Sequence, residues 1–174
     1  MKLLKDIIYG VGIQEVKGLT NIAVEQITFD SRKVGRLTAF IATKGTQSDG
    51  HDYISQAIES GACCVVCENF PDQLNASVTY IKVSDSSKAL GLIASNFYDN
   101  PSDKLTLVGI TGTNGKTTSA TLLYDLFRLL GYKTGLISTV SIRIIHHTIE
   151  ATHTTPDAIA INKTLSEMVD KGCS

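Results

Sequence analysis

No stretch of this sequence approaches the ~18 consecutive apolar residues of a membrane-spanning helix. The opening Met1-Lys2-Leu3-Leu4-Lys5-Asp6 carries an acid early and lacks a long apolar segment with a small-residue cleavage site. It does not read as a secretory leader, which makes a cytoplasmic protein the expectation. Charge of one sign is missing too: the net charge is −1 and no long run of like charge occurs. That removes the electrostatic footprint expected for nucleic acid or an anionic membrane. Internal repeats and low-complexity tracts are absent. Cysteine is sparse, at four residues. Cys64 and Cys67 have the CxxC spacing of a redox pair or half a metal site. No second pair completes a zinc site, and Ala62-Cys63-Cys64-Val65-Val66-Cys67 reads more simply as a buried strand with cysteine as a small hydrophobe.

What is present suits one or two α/β domains: 174 residues, 43% of them hydrophobic, enough for a packed core. Ile27-Thr28-Phe29 and Ala39-Phe40-Ile41-Ala42 read as strands, and Gly45 to Gly50 as a loop. Tyr53 to Ser60 reads as a helix with Ile54, Ala57 and Ile58 on one face and Gly61 as its stop. Cys63 to Cys67 and Val78 to Val83 are expected strands. Asp85 or Ser86 caps a further helix whose Leu90, Ile93, Ala94 and Phe97 form an apolar stripe. Asp99-Asn100-Pro101-Ser102 ends it, because the residue before a proline disfavours helix. The domain boundary is placed here, giving domains at 1–101 and 102–174.

The second segment opens with Leu105 to Ile110, an apolar run consistent with a buried parallel strand. A helix is expected to about Leu130, burying Leu122, Leu123, Leu126, Phe127 and Leu130, with Gly131 at C′. Thr134 to Val140 and Ile142 to Glu150 read as strands, so that the segment forms a right-handed β-loop-α-β unit. A last helix is expected from Pro156 to about Lys171, with Thr155 at N-cap, Asp157 in the first turn and Gly172 at its end. Adjacent His146 and His147 would point to opposite faces of a strand and cannot easily share an ion with His153. They read as surface residues.

Between the expected strand and helix lies Thr111-Gly112-Thr113-Asn114-Gly115-Lys116-Thr117-Thr118. Glycines there let backbone N–H groups turn toward a bound phosphate, and a helix N-terminus adds free donors and a positive dipole end. Lysine reaches the terminal phosphates and the adjacent hydroxyl is placed to ligate Mg²⁺. The common pattern asks for glycine five residues before Gly115, where Ile110 stands; the glycine is one residue earlier, at Gly109. Gly112 can supply the tight turn instead. These residues point to nucleotide binding and leave the reaction open.

Gly109 to Thr118 resembles the TGTNGKTT signature of the Mur ligase family, which also includes folylpolyglutamate synthetase relatives and departs from the common pattern at the same first glycine. Phe29-Asp30-Ser31-Arg32-Lys33-Val34, Phe40-Ile41-Ala42 and Gly45 through Asp49-Gly50 are similar to the UDP-binding domain of those members that act on UDP-N-acetylmuramoyl-dipeptide. Thr154-Thr155-Pro156-Asp157 is similar to their TTP[DE] segment. The matches run nearly the length of the chain, in order.

The resemblance implies a small N-terminal α/β UDP-binding domain, then the start of a P-loop (Walker A) central domain. It implies ATP at Gly112, Thr113, Asn114, Gly115, Lys116, Thr117 and Thr118, with Lys116 catalytic and Thr117 on Mg²⁺. It implies the UDP-N-acetylmuramoyl-L-alanyl-D-glutamate substrate at Phe29, Ser31, Thr46, Gln47, Ser48, Thr154 and Thr155. Asp30 and Arg32 are expected to shape the turn. The implied reaction is ATP-dependent addition of a diamino acid, meso-diaminopimelate before L-lysine, through an acyl phosphate. The Mg²⁺-binding glutamate, a carbamylated lysine and the amino-acid pocket lie beyond Ser174 in the family. The chain is therefore expected to be an incomplete fragment, inactive alone, with apolar surface bare in its second segment. Taken alone, Asp30-Ser31-Arg32 is a capped turn and Thr154 to Asp157 a helix start. The competing readings are a non-catalytic UDP-sugar or nucleotide-binding module and an unrelated P-loop kinase or GTPase. The latter lacks a guanine-reading Asn-Lys-x-Asp tetrad and leaves Asp30-Ser31-Arg32 unexplained.

Overall fold

The computed structural model describes residues 1–45, 48–150 and 156–174, and the chain divides into two compact units, Met1–Phe97 and Tyr98–Ser174. The first begins with β1 (Lys2–Leu3), α1 (Leu4–Ile7), β2 (Ile13–Lys17) and β3 (Ala23–Val24). It continues through β4 (Gln26–Thr28), β5 (Thr38–Ile41), α2 (Ile54–Glu59), β6 (Ala62–Cys67), β7 (Thr79–Val83) and α3 (Ser86–Phe97). Five strands form one sheet in the order β2-β7-β6-β5-β4. β4 to β7 run parallel and β2 joins β7 antiparallel. β1 and β3 pair separately, Lys2 opposite Val24.

Strands β5 and β6 are near-continuously buried, as parallel strands covered on both faces should be. Phe40, Val65 and Tyr80 sit side by side across three strands, fully or almost fully buried. They pack with Ile54 and Ala57 of α2 into one cluster. Cys64 and Cys67 lie inside β6 and are buried; desolvation raises the Cys64 thiol well above its usual value and Cys67 to about 11. Both thiols are held protonated and unreactive, in keeping with the buried-strand reading. In α3, Ala89, Leu90, Ile93 and Ala94 are buried, and the Asp85 carboxylate caps the helix by accepting from Lys88 N–H at 2.8 Å.

The second unit holds α4 (Lys116–Leu129), β8 (Gly135–Ile137), β9 (Ser141–Ile144), β10 (His147–Glu150) and α5 (Ala158–Asp170). It departs from the sequence reading in several places. Leu105 to Ile110 forms no strand among the described residues, and Leu107 and Val108 are 55% and 63% exposed. A parallel strand needs neighbours on its edges, and the described residues offer none, so the β-loop-α-β unit is not closed. The expected buried face of α4 is bare for the same reason: Leu122, Leu126, Phe127 and Leu130 are all exposed. Tyr124 is buried instead, its hydroxyl donating to Ile145 O at 2.6 Å. Guanidinium groups of Arg128 and Arg143 lie over its ring, 5.5 and 5.7 Å from the centroid.

The expected strand Thr134 to Val140 shortens to Gly135–Ile137, and Ile142 to Glu150 is a hairpin. It turns at Ile145, which has φ 56, and His146, so the two adjacent histidines do not share a strand. The three strands are antiparallel in the order β10-β9-β8. At the start of α5 the cap is Asp157, accepting from Ala160 N–H at 2.9 Å, where Thr155 was expected. The Asp157 carboxylate also meets the positive helix end. Thr155 itself lies outside the described residues. Leu165, Met168, Cys173 and Ile144 form the unit's small core.

Candidate functional site

Two places carry chemistry, one in each unit. In the first, the carboxyl ends of β4, β5, β6 and β7 lie along one edge of the sheet, and the loops that follow them bring Ser31, Lys44, Asp49, Glu68 and Ser86 to that edge. Open parallel sheets bind ligands outside the carboxyl ends of their strands.

After β4 the chain turns through Asp30. Its carboxylate accepts from Arg32 N–H at 3.1 Å, Arg32 Nε at 2.8 Å and Arg32 Nη2 at 2.9 Å. The Arg32 side chain is the main reason the Asp30 carboxyl titrates below its usual range. The pair shapes the turn. Ser31, between them, is half-buried and its hydroxyl donates to Gln56 Oε1 at 3.3 Å. Phe29 is 36% exposed at the same turn. Both predicted contacts therefore sit on the candidate edge.

The loop after β5 is a narrow tongue. Gly45 N–H donates to Ser48 O and Gly50 N–H to Thr43 O, each at 2.9 Å, and Lys44 bridges Asp49. Ser48 is exposed on it. Thr46 and Gln47, expected substrate contacts, lie outside the described residues, as do Thr154 and Thr155.

A network that the sequence reading missed holds this tongue. Glu68, directly after β6, places Oε2 2.6 Å from Lys44 Nζ, while its Oε1 accepts from Ser86 N–H at 3.1 Å and Ser86 Oγ at 2.9 Å. The Lys44 ammonium, foremost, holds the Glu68 carboxyl at about 2, against the opposing effect of burial. Glu68 N–H donates to His51 Nε2 at 2.9 Å, which leaves the ring proton on Nδ1, 2.5 Å from Asp49 Oδ1. The sequence signal available for Glu68 was an acid immediately after an apolar strand.

In the second unit the glycine-rich loop at Gly112 to Gly115 leads directly into α4. Gly112 has φ 149 and Gly115 φ 75, backbone that favours glycine, and both are exposed. Gly115 is the N-cap of α4 and contributes no side-chain cap, so the first amides of the helix remain free for a ligand. The Lys116 ammonium bends back onto the loop, donating to Gly112 O at 2.5 Å and toward Thr113 O at 3.4 Å. Thr113 and Asn114 are exposed in the same loop, and Thr117 and Thr118 occupy the first turn of the helix. All seven predicted loop residues thus surround one helix N-terminus. A cavity of about 270 Å³ lies at the opposite end of α4, lined by Arg128, Tyr132, Lys133, Thr134 and His146. A helix of this length separates the two by ~20 Å.

A model described as "Mur ligase family, catalytic domain" matches residues 23–98, and one described as "Mur ligase middle domain" matches residues 110–174. The UDP-N-acetylmuramoyl-L-alanyl-D-glutamate–2,6-diaminopimelate ligase of Cytophaga hutchinsonii is 57% identical over 172 residues, which is 98% of this chain and 35% of that protein. The enzyme of the same description from Phocaeicola vulgatus is 54% identical over 173 residues, 99% of this chain and 36% of that protein. The chain thus spans about a third of the length of the curated relatives it matches. Among solved structures, a UDP-N-acetylmuramoyl-L-alanyl-D-glutamate–2,6-diaminopimelate ligase aligns over 99% of this chain and 34% of its own, with TM-score 0.74 and 22% identity. The UDP-N-acetylmuramoylalanyl-D-glutamyl-2,6-diaminopimelate–D-alanyl-D-alanyl ligase of Acinetobacter baumannii aligns over 94% of this chain and 32% of its own, with TM-score 0.56 and 20% identity. Those two likenesses bear on the fold. With both family models placed in order along the chain and the α/β fold in agreement, the chain belongs to the Mur ligase family.

Proposed function

We propose that this chain serves an ATP-dependent ligase that adds a diamino acid to UDP-N-acetylmuramoyl-L-alanyl-D-glutamate. Residues 1–101 anchor the UDP end of the substrate, and 102–174 open the ATP-binding domain. The observation that carries this reading is the helix N-terminus of α4, left without a side-chain cap and fronted by Gly112, Gly115 and the Lys116 ammonium. Such an end offers free amides and positive charge to a triphosphate. The names of the relatives at 57% and 54% identity support the substrate and favour diaminopimelate over L-lysine.

In the proposed reaction an oxygen of the D-glutamate carboxylate forms a bond to the γ-phosphorus and ADP leaves. The amine of the diamino acid then attacks the resulting acyl phosphate, phosphate departs and the amine loses a proton. Lys116, released from the Gly112 carbonyl, moves its charge onto the transferring group. The amides of Gly112 to Thr118 hold the phosphates in line. The Thr117 hydroxyl, in the first turn of α4, would suit a hard cation as one of its oxygen ligands. Mg²⁺ bound there would neutralise phosphate charge. Phe29, Ser31 and Ser48 face the uridine end, with Thr46 and Gln47; Thr154 and Thr155 hold the muramoyl-peptide part. The substrates place the reaction in the cytoplasm, and no helix among the described residues is long and apolar enough to cross a membrane.

The test is ADP release by the full-length protein with UDP-N-acetylmuramoyl-L-alanyl-D-glutamate and meso-diaminopimelate or L-lysine in turn. Release that depends on diaminopimelate supports the reading. A protein that binds UDP yet turns over neither amine supports the non-catalytic module instead.

A further inference from the structure

We propose that Glu68 is a positioning residue for the nucleotide end of the substrate site, fixing both legs of the loop between Ala42 and Tyr53. This rests on the reading that the carboxyl edge of the first-unit sheet holds the UDP moiety.

The loop leaves β5 through Lys44 and returns through Asp49 and His51. The outgoing leg is tied by the Lys44 ammonium to Glu68 Oε2 at 2.6 Å. The returning leg is tied by His51 Nε2, which accepts from Glu68 N–H at 2.9 Å. Asp49 Oδ1 lies 2.5 Å from His51 Nδ1 and also accepts from the His51 backbone N–H at 2.9 Å, so the ring cannot rotate without losing both of its nitrogen contacts. The other carboxylate oxygen of Glu68 is anchored by the N–H and hydroxyl of Ser86 at the start of α3. One residue thus joins the loops that follow β5, β6 and β7.

The cost of such an arrangement points to its use. Lys44 is 52% exposed, and an exposed ion pair contributes little to global stability. The Glu68 side chain is only 18% exposed and uses both oxygens, which a merely solubilising acid has no need to do. What the network does supply is geometry. It ties the tongue that carries Ser48 to the loops after β6 and β7. Holding a loop in its binding geometry before the ligand arrives reduces the ordering cost of binding.

The experiment is UDP titration calorimetry and steady-state kinetics on the full-length protein, comparing wild type with E68Q, K44M, the double variant and the charge-retaining K44R. E68Q and K44M are each expected to weaken UDP by about tenfold, the scale of one charge-assisted contact. The double variant should be no worse than either single one, and K44R, which keeps the cation, should stay close to wild type. KM for the UDP-linked substrate should rise by the same factor while kcat at saturation stays within about twofold. A purely structural role would lower the unfolding temperature without this KM-selective, charge-dependent pattern. If E68Q does not fold, K44M at the exposed partner carries the test. Wild-type UDP affinity in both single variants overturns the inference while leaving the UDP reading intact. A wild-type protein that binds no UDP overturns the reading and the inference with it.

Discussion

Lys116 Nζ donates to the carbonyl oxygen of Gly112 at 2.5 Å, so the ammonium at the head of α4 closes a ring over its own loop. A triphosphate entering the loop replaces that carbonyl with a stronger, charged acceptor. Lys116→Met is expected to lower turnover of the full-length protein by at least ~10²-fold, the scale of losing one group that faces developing charge. The residue is exposed, so the unfolding temperature should be nearly unchanged. Single-turnover ADP formation beside a thermal melt separates the two effects.

Gly115→Ala tests backbone conformation without crowding. A Cβ there meets nothing within 4 Å, yet φ is 75. The penalty is purely torsional, about 1–2 kcal/mol. Faster amide exchange at Lys116 to Ser119 and weaker ATP binding are expected. Unchanged exchange would mean that the loop adopts another conformation.

Gly50→Ala tests the opposite case. Its Cβ would lie 2.7 Å from Thr43 O and 2.8 Å from Thr43 N, both main-chain atoms that cannot swing aside. The bond from Gly50 N–H to Thr43 O then lengthens and the tongue opens at its base. Overpacking of this kind costs about 1–3 kcal/mol. UDP affinity and the urea midpoint should fall together.

Acid should weaken the first unit through Glu68. Its folded carboxyl titrates at about 2, below the ordinary 4.5, chiefly because of Lys44. A depressed carboxyl contributes stability in full above pH 4.5 and loses it as pH falls through about 2. Asp30 and Asp49 are depressed as well, so the wild-type acid limb is composite. The advantage of wild type over E68Q, measured as urea midpoints, should therefore shrink steadily from pH 5 to pH 2. An advantage that does not vary with pH would show that the Lys44–Glu68 pair adds nothing to stability.

The 174-residue polypeptide made by itself should bind a hydrophobic dye, and proteases should cut it first after Tyr98. Leu122, Leu126, Leu129 and Leu130 are 64%, 49%, 87% and 63% exposed along one helix. Contiguous apolar surface of this kind marks a face built to be covered. Replacing Leu122 and Leu126 by glutamate should reduce dye binding without lowering the melting temperature of the first unit.

Much of the first unit was legible because its signals are local. The apolar run ending at Cys67, the 3,4-spaced Leu90, Ile93 and Ala94, and Asp85 ahead of α3 each specify an element without reference to distant chain. The glycine-rich loop ahead of α4 was legible for the same reason: a glycine with positive φ and a lysine at a helix start are neighbours in sequence. The Ser31 turn was readable as a turn, because Asp30 and Arg32 bond within two residues. Leu105 to Ile110 misled, since an apolar run states only that a strand would be stable if flanked. The hairpin at Ile145 was hidden because a β-branched residue at φ 56 carries no turn signal.

Amino-acid order alone determined the strands and helices of the first unit from Ile27 onward, the glycine-rich loop ahead of α4 and the family, all of which depend on residues close together in the chain; β1, α1, β2 and β3 carried no signal that was read. Only tertiary structure decided that Glu68 meets Lys44, His51 and Ser86, that Tyr124 and not the leucines of α4 is buried, and that Leu105 to Ile110 finds no strand partner among the described residues. Those outcomes depend on which groups the parallel sheet brings to one edge and on which apolar faces find a neighbour. A side chain's spacing in sequence carries no information about either.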